Sequence, residues 1–194
     1  DLMPALVAAE FVRPQPDQPV ASFQFKHALT QNAVYGVMLT DQRRGLHASV
    51  ADWYSEHGDS SGTRDDAILA HHWQGAERWD RAVQALENAG LAALERWACR
   101  EAIGFFERAQ DIDDRHAVLG RAPERRARWL WCIGTAHYRL GRIPPAEKCG
   151  RDALALAGYP VPATVAQCAL GIGRQLVVRF LRWMLPHLAA PARN

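Results

Sequence analysis

His27 is the residue whose type and setting best suit chemistry. It stands where an alternating strand pattern, Phe23 to Lys26, gives way to a helical one. An imidazole donor at a helix start suits a phosphate oxygen, because the first backbone N–H groups there carry the positive end of the helix dipole. Lys26 and the pair Arg43-Arg44 can assist with charge, or can simply be solvated. The competing reading of His27 is a structural histidine whose nitrogens satisfy nearby backbone. His71-His72 invites a metal, yet neighbours on a helix point about 100° apart and are not expected to chelate together. No metal ligand is assigned. Asp65-Asp66 and Asp111 to Asp114 read as helix N-terminal charge and a solvated loop. The sequence has no G-x-x-x-x-G-K-[ST], H-E-x-x-H or G-x-S-x-G motif and no carboxylate spacing of a cyclase metal site. No catalytic residue and no cofactor are assigned to this chain, and it is not expected to be an enzyme by itself.

The elements that would position His27 are short. Leu2 to Ala9 has helix-forming composition, Phe11-Val12-Arg13 reads as a strand, and Val20 to Lys26 as its partner. Between them Pro14-Gln15-Pro16-Asp17-Gln18-Pro19 cannot be a helix, since three prolines remove donors and fix φ. Helix, strand, Pro-rich turn and strand make the second half of a winged-helix unit. Leu29, Ala33, Val34, Val37 and Met38 then share one helical face. The pattern predicts helices over Ala28 to Leu39 and Thr40 to His57, with Thr40 as N-cap of the second. DNA reading is not expected: the segment at the recognition-helix position, Leu2 to Glu10, is apolar and weakly acidic.

The order F-x-F-x-H-A-L-x-Q-x-x-x-Y at Phe23 to Tyr35, followed by Arg43-Arg44-Gly45-Leu46-His47, resembles the region after the nucleotide-binding domain in bacterial multidomain signalling ATPases. These are AAA/STAND-type proteins, many with an adenylate or guanylate cyclase domain. The resemblance extends from Leu2 to Leu185. It implies that ATP or ADP is bound by an upstream domain absent here, and that His27, assisted by Lys26, reaches the β-phosphate of ADP and holds a closed state.

Beyond Gly58 to Thr63, the clearest linker, the sequence is helical almost to its end and repeats itself. Leu69, Trp73, Trp79, Ala82, Leu86 and Ala89 follow the tetratricopeptide order of apolar, aromatic, aromatic, Ala, bulky apolar and Ala. Gly90, Ala102, Phe106 and Ala109 repeat its second half. Ile133-Gly134, Gly141, Ala146 and Ala153-Leu154 form the best copy, with Arg142-Ile143-Pro144-Pro145 as the inter-helix turn. In that copy His137 stands for the usual Tyr and Gly150 for the usual aromatic. Small residues let antiparallel helices approach, and bulky ones fill the gaps between pairs. Asp111 to Pro123 is expected to be a longer connection. Trp73, Trp79, Trp97, Phe106, Trp129 and Trp131 are expected mostly in the core, with one or two lining the groove. An ordinary helical bundle is the competing reading.

Composition agrees with a soluble globular protein: 194 residues, 48% hydrophobic, 23% charged and a net charge of +2, too small to argue for nucleic acid. Only Lys26 and Lys148 are lysines. Cys99, Cys132, Cys149 and Cys168 form no C-x-x-C pair and read as reduced thiols of a cytoplasmic protein. The chain opens at Asp1 with helix-like residues and is read as a piece of something longer. The segment Ala163 to Leu185 is apolar but interrupted by Arg174, Arg179 and Arg182, which argues against a membrane span or membrane contact and for packing on the repeats or on helices absent from this chain.

The expected fold is thus mainly α, a remnant winged helix with a two-stranded wing followed by a tetratricopeptide-like superhelix. Its divisions are residues 1–57, a linker at 58–63, repeats at 64–158 and an amphipathic C-terminal helix at 159–194. The expected function is regulatory: coupling nucleotide state upstream to a protein or peptide ligand on the repeat groove. The alternatives are a stand-alone repeat adaptor and the same region of a transcriptional regulator.

Overall fold

A proline in a first helical turn sacrifices no intrahelical bond, so Met3-Pro4 can open the first helix, α1 (Met3–Ala8). In the computed structural model, which describes residues 2–15, 22–57, 66–118, 120, 122–159, 162 and 165–184, the chain is mainly helical with one small sheet. Strands β1 (Val12–Gln15) and β2 (Ser22–Phe25) pair antiparallel, Val12 opposite Phe25 and Pro14 opposite Phe23. Pro14 therefore lies in a strand and not in the turn expected of it. Each strand of a two-stranded sheet has a free edge, where a missing donor is tolerated.

Helices α2 (Ala28–Val37) and α3 (Thr40–His57) follow. The first stops two residues before the expected Leu39, as Met38 turns extended. Thr40 is the first helical residue of α3 and not its cap. The Leu39 carbonyl accepts from Arg43, and the Gln42 side chain reaches back to accept from the Leu39 N–H at 3.1 Å. The linker expected at 58–63 lies outside the described residues.

Six more helices complete the described chain: α4 (Asp66–Gly75), α5 (Trp79–Glu95), α6 (Cys99–His116), α7 (Pro123–Arg139), α8 (Ile143–Leu156) and α9 (Val165–Met184). Asp111 to Asp114 belong to α6, contrary to the loop expected there. An ion pair from Asp111 to Arg115 one turn later supports the helix. Pro144 and Pro145 also sit inside a helix, the first turn of α8, and the turn before it is Leu140 to Arg142.

The chain divides into two compact units, Asp1–Ala89 with Asp111–Val118, and Gly90–Gln110 with Leu119–Asn194. In the first, Ala51, Leu69, Trp73, Ala82, Val83 and Leu86 are buried. The Arg81 guanidinium lies over the Trp73 ring and donates to Asp52, and Trp79 stacks on His116 at 4.0 Å. In the second, Phe106 and Trp129 are fully buried with Ala102, Ala109, Ile133 and Ala153. Trp97 and Trp131 are 71% and 62% exposed, while Trp73, Phe106 and Trp129 are buried.

Helix ends recur in one form. At Glu10, Glu77, Trp97, Gly141 and Gly158 the chain turns left-handed (φ +54° to +82°). The two N–H groups at each turn close onto carbonyls of the last helical turn, as in Glu77 to Gln74 and Arg78 to Trp73. Three of these five positions carry a side chain, at about 1–2 kcal/mol of strain each. Every one of the three meets a cation: Glu10 meets Lys26, Glu77 meets Arg44, and Trp97 meets Arg139.

On α9, Leu170, Ile172, Leu176 and Val177 stay exposed and do not pack on the repeats, which leaves the other half of the expectation, helices absent from this chain. Among the described residues no helix is long and apolar enough to cross a membrane.

Candidate functional site

His27 takes the N-cap position of α2 with extended backbone, φ −130° and ψ 129°. Its carbonyl accepts from Thr30 and Gln31, which starts the helix. Its imidazole is exposed and makes no bond to the helix it begins. Lys26 is committed elsewhere: its ammonium donates to Glu10 at 2.6 Å. That hydrogen bond, with the Lys26 charge, holds the Glu10 carboxyl below its ordinary range.

Arg43 and Arg44 are also engaged. Arg43 lies 5.3 Å over the Tyr35 ring, and Arg44 donates to Glu77 at 2.6 Å and to Asp41 at 3.3 Å. The pair joins α3 to α2 and to the end of α4.

Next to these arginines lies a cluster the sequence reading did not assemble. His47 of α3 packs against both His71 and His72 of α4. His47 Nδ1 lies 2.9 Å from His72 Nδ1, and its ring centroid lies 5.6 Å from that of His71. The divergence expected of adjacent helical residues does not keep these rings apart: the His71 and His72 centroids are 5.2 Å from each other. Nitrogens of all three histidines fall within 4.8 Å of one another. Tyr35 of α2 closes the far side, its hydroxyl 2.9 Å from His47 Nε2, and Tyr54 stacks on His72.

Gly75 makes room for this: a Cβ built on it would fall 2.6 Å from the His47 ring. Burial pushes the His47 imidazole below its ordinary range, and the nearby His71 adds to the effect. His72 is lowered first by burial, then by His47 and His71. At 2.9 Å one of the two facing Nδ1 atoms donates and the other accepts, an arrangement suited to one shared proton or one cation. The signal in the sequence was His47 at the end of the Arg43-to-His47 motif. Nothing in the spacing links it to a residue twenty-five positions on.

In the second unit, α7 and α8 pack closely because Gly134 has no side chain; a Cβ there would touch Cys149 Cβ at 3.2 Å and the Ala146 carbonyl at 3.3 Å. Trp131, Thr135 and Tyr138 of α7 with Ile143, Glu147 and Gly150 of α8 line an open groove of about 430 Å³. The repeat-signature residues Leu69, Trp73, Ala82, Leu86, Ala89, Gly90, Ala102, Phe106, Ala109, Gly134 and Ala153 are buried, whereas Trp79 and Ala146 are half-buried and Gly141 is exposed.

No family model matches the chain. It is similar to an uncharacterized protein of Rhizobium meliloti (strain 1021), 26% identical over 140 residues. The match covers 70% of this chain but 13% of that relative, which is therefore several times longer.

Proposed function

We propose that this chain is the regulatory and sensor part of a larger bacterial signalling ATPase, of the kind linked to adenylate or guanylate cyclases. Its N-terminal part is then a remnant winged helix, and the helical hairpins from α4 to α8 are tetratricopeptide-like repeats that hold a protein or peptide ligand. An upstream domain binds ATP or ADP, and His27 reads the state of that nucleotide.

The observation that carries the reading is the His27 side chain, exposed at the start of α2 and making no bond to that helix. A histidine so placed is free to donate to a phosphate oxygen brought against the helix start. Lys26, held by Glu10, contributes charge and not a direct contact. The groove between α7 and α8, with aromatic residues exposed along it, supports the ligand-binding half of the reading.

The test is His27→Leu in the full-length parent protein. Faster loss of bound ADP and raised basal activity are expected. If ADP retention and basal activity are both unchanged, the relay reading falls, and a stand-alone adaptor becomes the better account.

A further inference from the structure

We propose that His47, His71 and His72 bind a divalent transition-metal ion of the zinc class and thereby clamp α3 to α4. The first argument is geometric. One ring nitrogen from each of the three histidines lies within 4.8 Å of the other two, and His47 Nδ1 stands 2.9 Å from His72 Nδ1. Tetrahedral zinc with bonds of 2.0–2.1 Å wants its nitrogens about 3.3 Å apart. The close pair must open by a few tenths of an ångström, and His71 must swing inward. His71 is exposed and has room to turn.

The second argument is the donor chemistry. Imidazoles without a carboxylate among them suit zinc, copper or nickel and not magnesium or calcium, which demand oxygen. The third is the outer support. The Tyr35 hydroxyl stands on His47 Nε2, so a proton held there leaves the Nδ1 lone pair facing His72. Gly75 provides the notch into which the His47 ring fits, where any side chain would collide. A structure using His47 merely as filler would not need a ring nitrogen aimed at another ring nitrogen. With three protein ligands, a fourth position stays open to water.

The proposal is independent of the relay reading and is tested on the untagged chain, freed of metal by a chelator. Zinc sulfate is titrated at pH 7.5 against a chromophoric competitor. One equivalent is expected to bind, with affinity lowered at least tenfold by each of His47→Gln, His71→Gln and His72→Gln. Tyr35→Phe should weaken binding about tenfold, the usual size of an outer-partner effect. Cobalt should give the intense visible absorption of a four-coordinate nitrogen site in the wild type and none in the triple variant.

Far-UV circular dichroism checks folding, and if His47→Gln or His72→Gln unfolds, the exposed His71→Gln decides alone. No stoichiometric zinc in the wild type, or undiminished binding in the folded variants, overturns the site and leaves a neutral hydrogen-bonded histidine cluster.

Discussion

The Arg139 guanidinium lies 4.6 Å over the indole of Trp97 and donates to the Leu94 carbonyl at 2.6 Å. One side chain of α7 therefore closes the end of α5 twice. It gives the Leu94 carbonyl a second donor beside the Trp97 N–H at 3.2 Å, and it covers a tryptophan held at φ +61°. Arg139→Ala removes a charged hydrogen bond and a cation–π contact, together about 2 kcal/mol. Urea unfolding should show that loss with an unchanged slope. A loss below about 0.5 kcal/mol would mean that solvent replaces both contacts.

At Trp97 the usual helix ranking of alanine and glycine should invert. Trp97→Ala loses the stack and keeps the left-handed strain, whereas Trp97→Gly loses the stack and relieves the strain. The glycine variant is expected to be about 1 kcal/mol more stable than the alanine variant. Equal stabilities would show that the turn relaxes once the indole is gone.

Three glycines should respond to alanine with different signs. Gly90→Ala puts a methyl 2.8 Å from the Phe106 ring, which is fully buried and cannot withdraw, so about 1–3 kcal/mol is lost. Gly75→Ala collides with His47, and that cost should shrink in a His47→Ala background. Gly104→Ala meets nothing within 4 Å on a helix and should stabilise by up to about 1 kcal/mol. Thermal melts of these five variants and the wild type check all three.

The carboxyl of Glu10 should titrate below 4.5 in the folded chain and close to 4.5 in Lys26→Met. A lowered folded value means that the unfolded chain binds more protons near that pH. The contribution is present above about pH 4.5 and lost as pH falls through the folded value. NMR titration of the side-chain carbon reads it directly. A wild-type value at or above 4.5 would show that the pair does not persist in solution.

Zinc at saturating concentration should raise the melting temperature of the wild type and leave that of the His47→Gln, His71→Gln, His72→Gln triple variant unmoved, since a ligand of the native state alone stabilises it by mass action. Equal shifts in both would place the metal elsewhere.

Period and punctuation made much of the helical order legible. The span expected for α3, Thr40 to His57, is the one observed, and the small residues of α5, α6 and α7 announced close helix approach. Pro14, Pro144 and Pro145 misled for one reason: proline excludes a helix interior, but not a strand edge or a first turn. Asp111 to Asp114 misled because a run of acids reads as a loop until Arg115 is seen to neutralise it.

The helix ends were less legible. Gly141 marks one plainly, yet Glu10, Glu77 and Trp97 adopt the same left-handed turn without glycine. Their strain is offset by Lys26, Arg44 and Arg139, which the chain brings back from 16, 33 and 42 residues away. No local pattern encodes such pairings. The histidine cluster is the same case: His71 and His72 are neighbours on one helix, and only the packing of α3 onto Gly75 brings His47 against both. By itself the sequence determined where helices form, since that depends on neighbours within a few residues. Which nitrogens and cations meet was decided by tertiary structure, because contacts across long loops depend on how the helix faces dock.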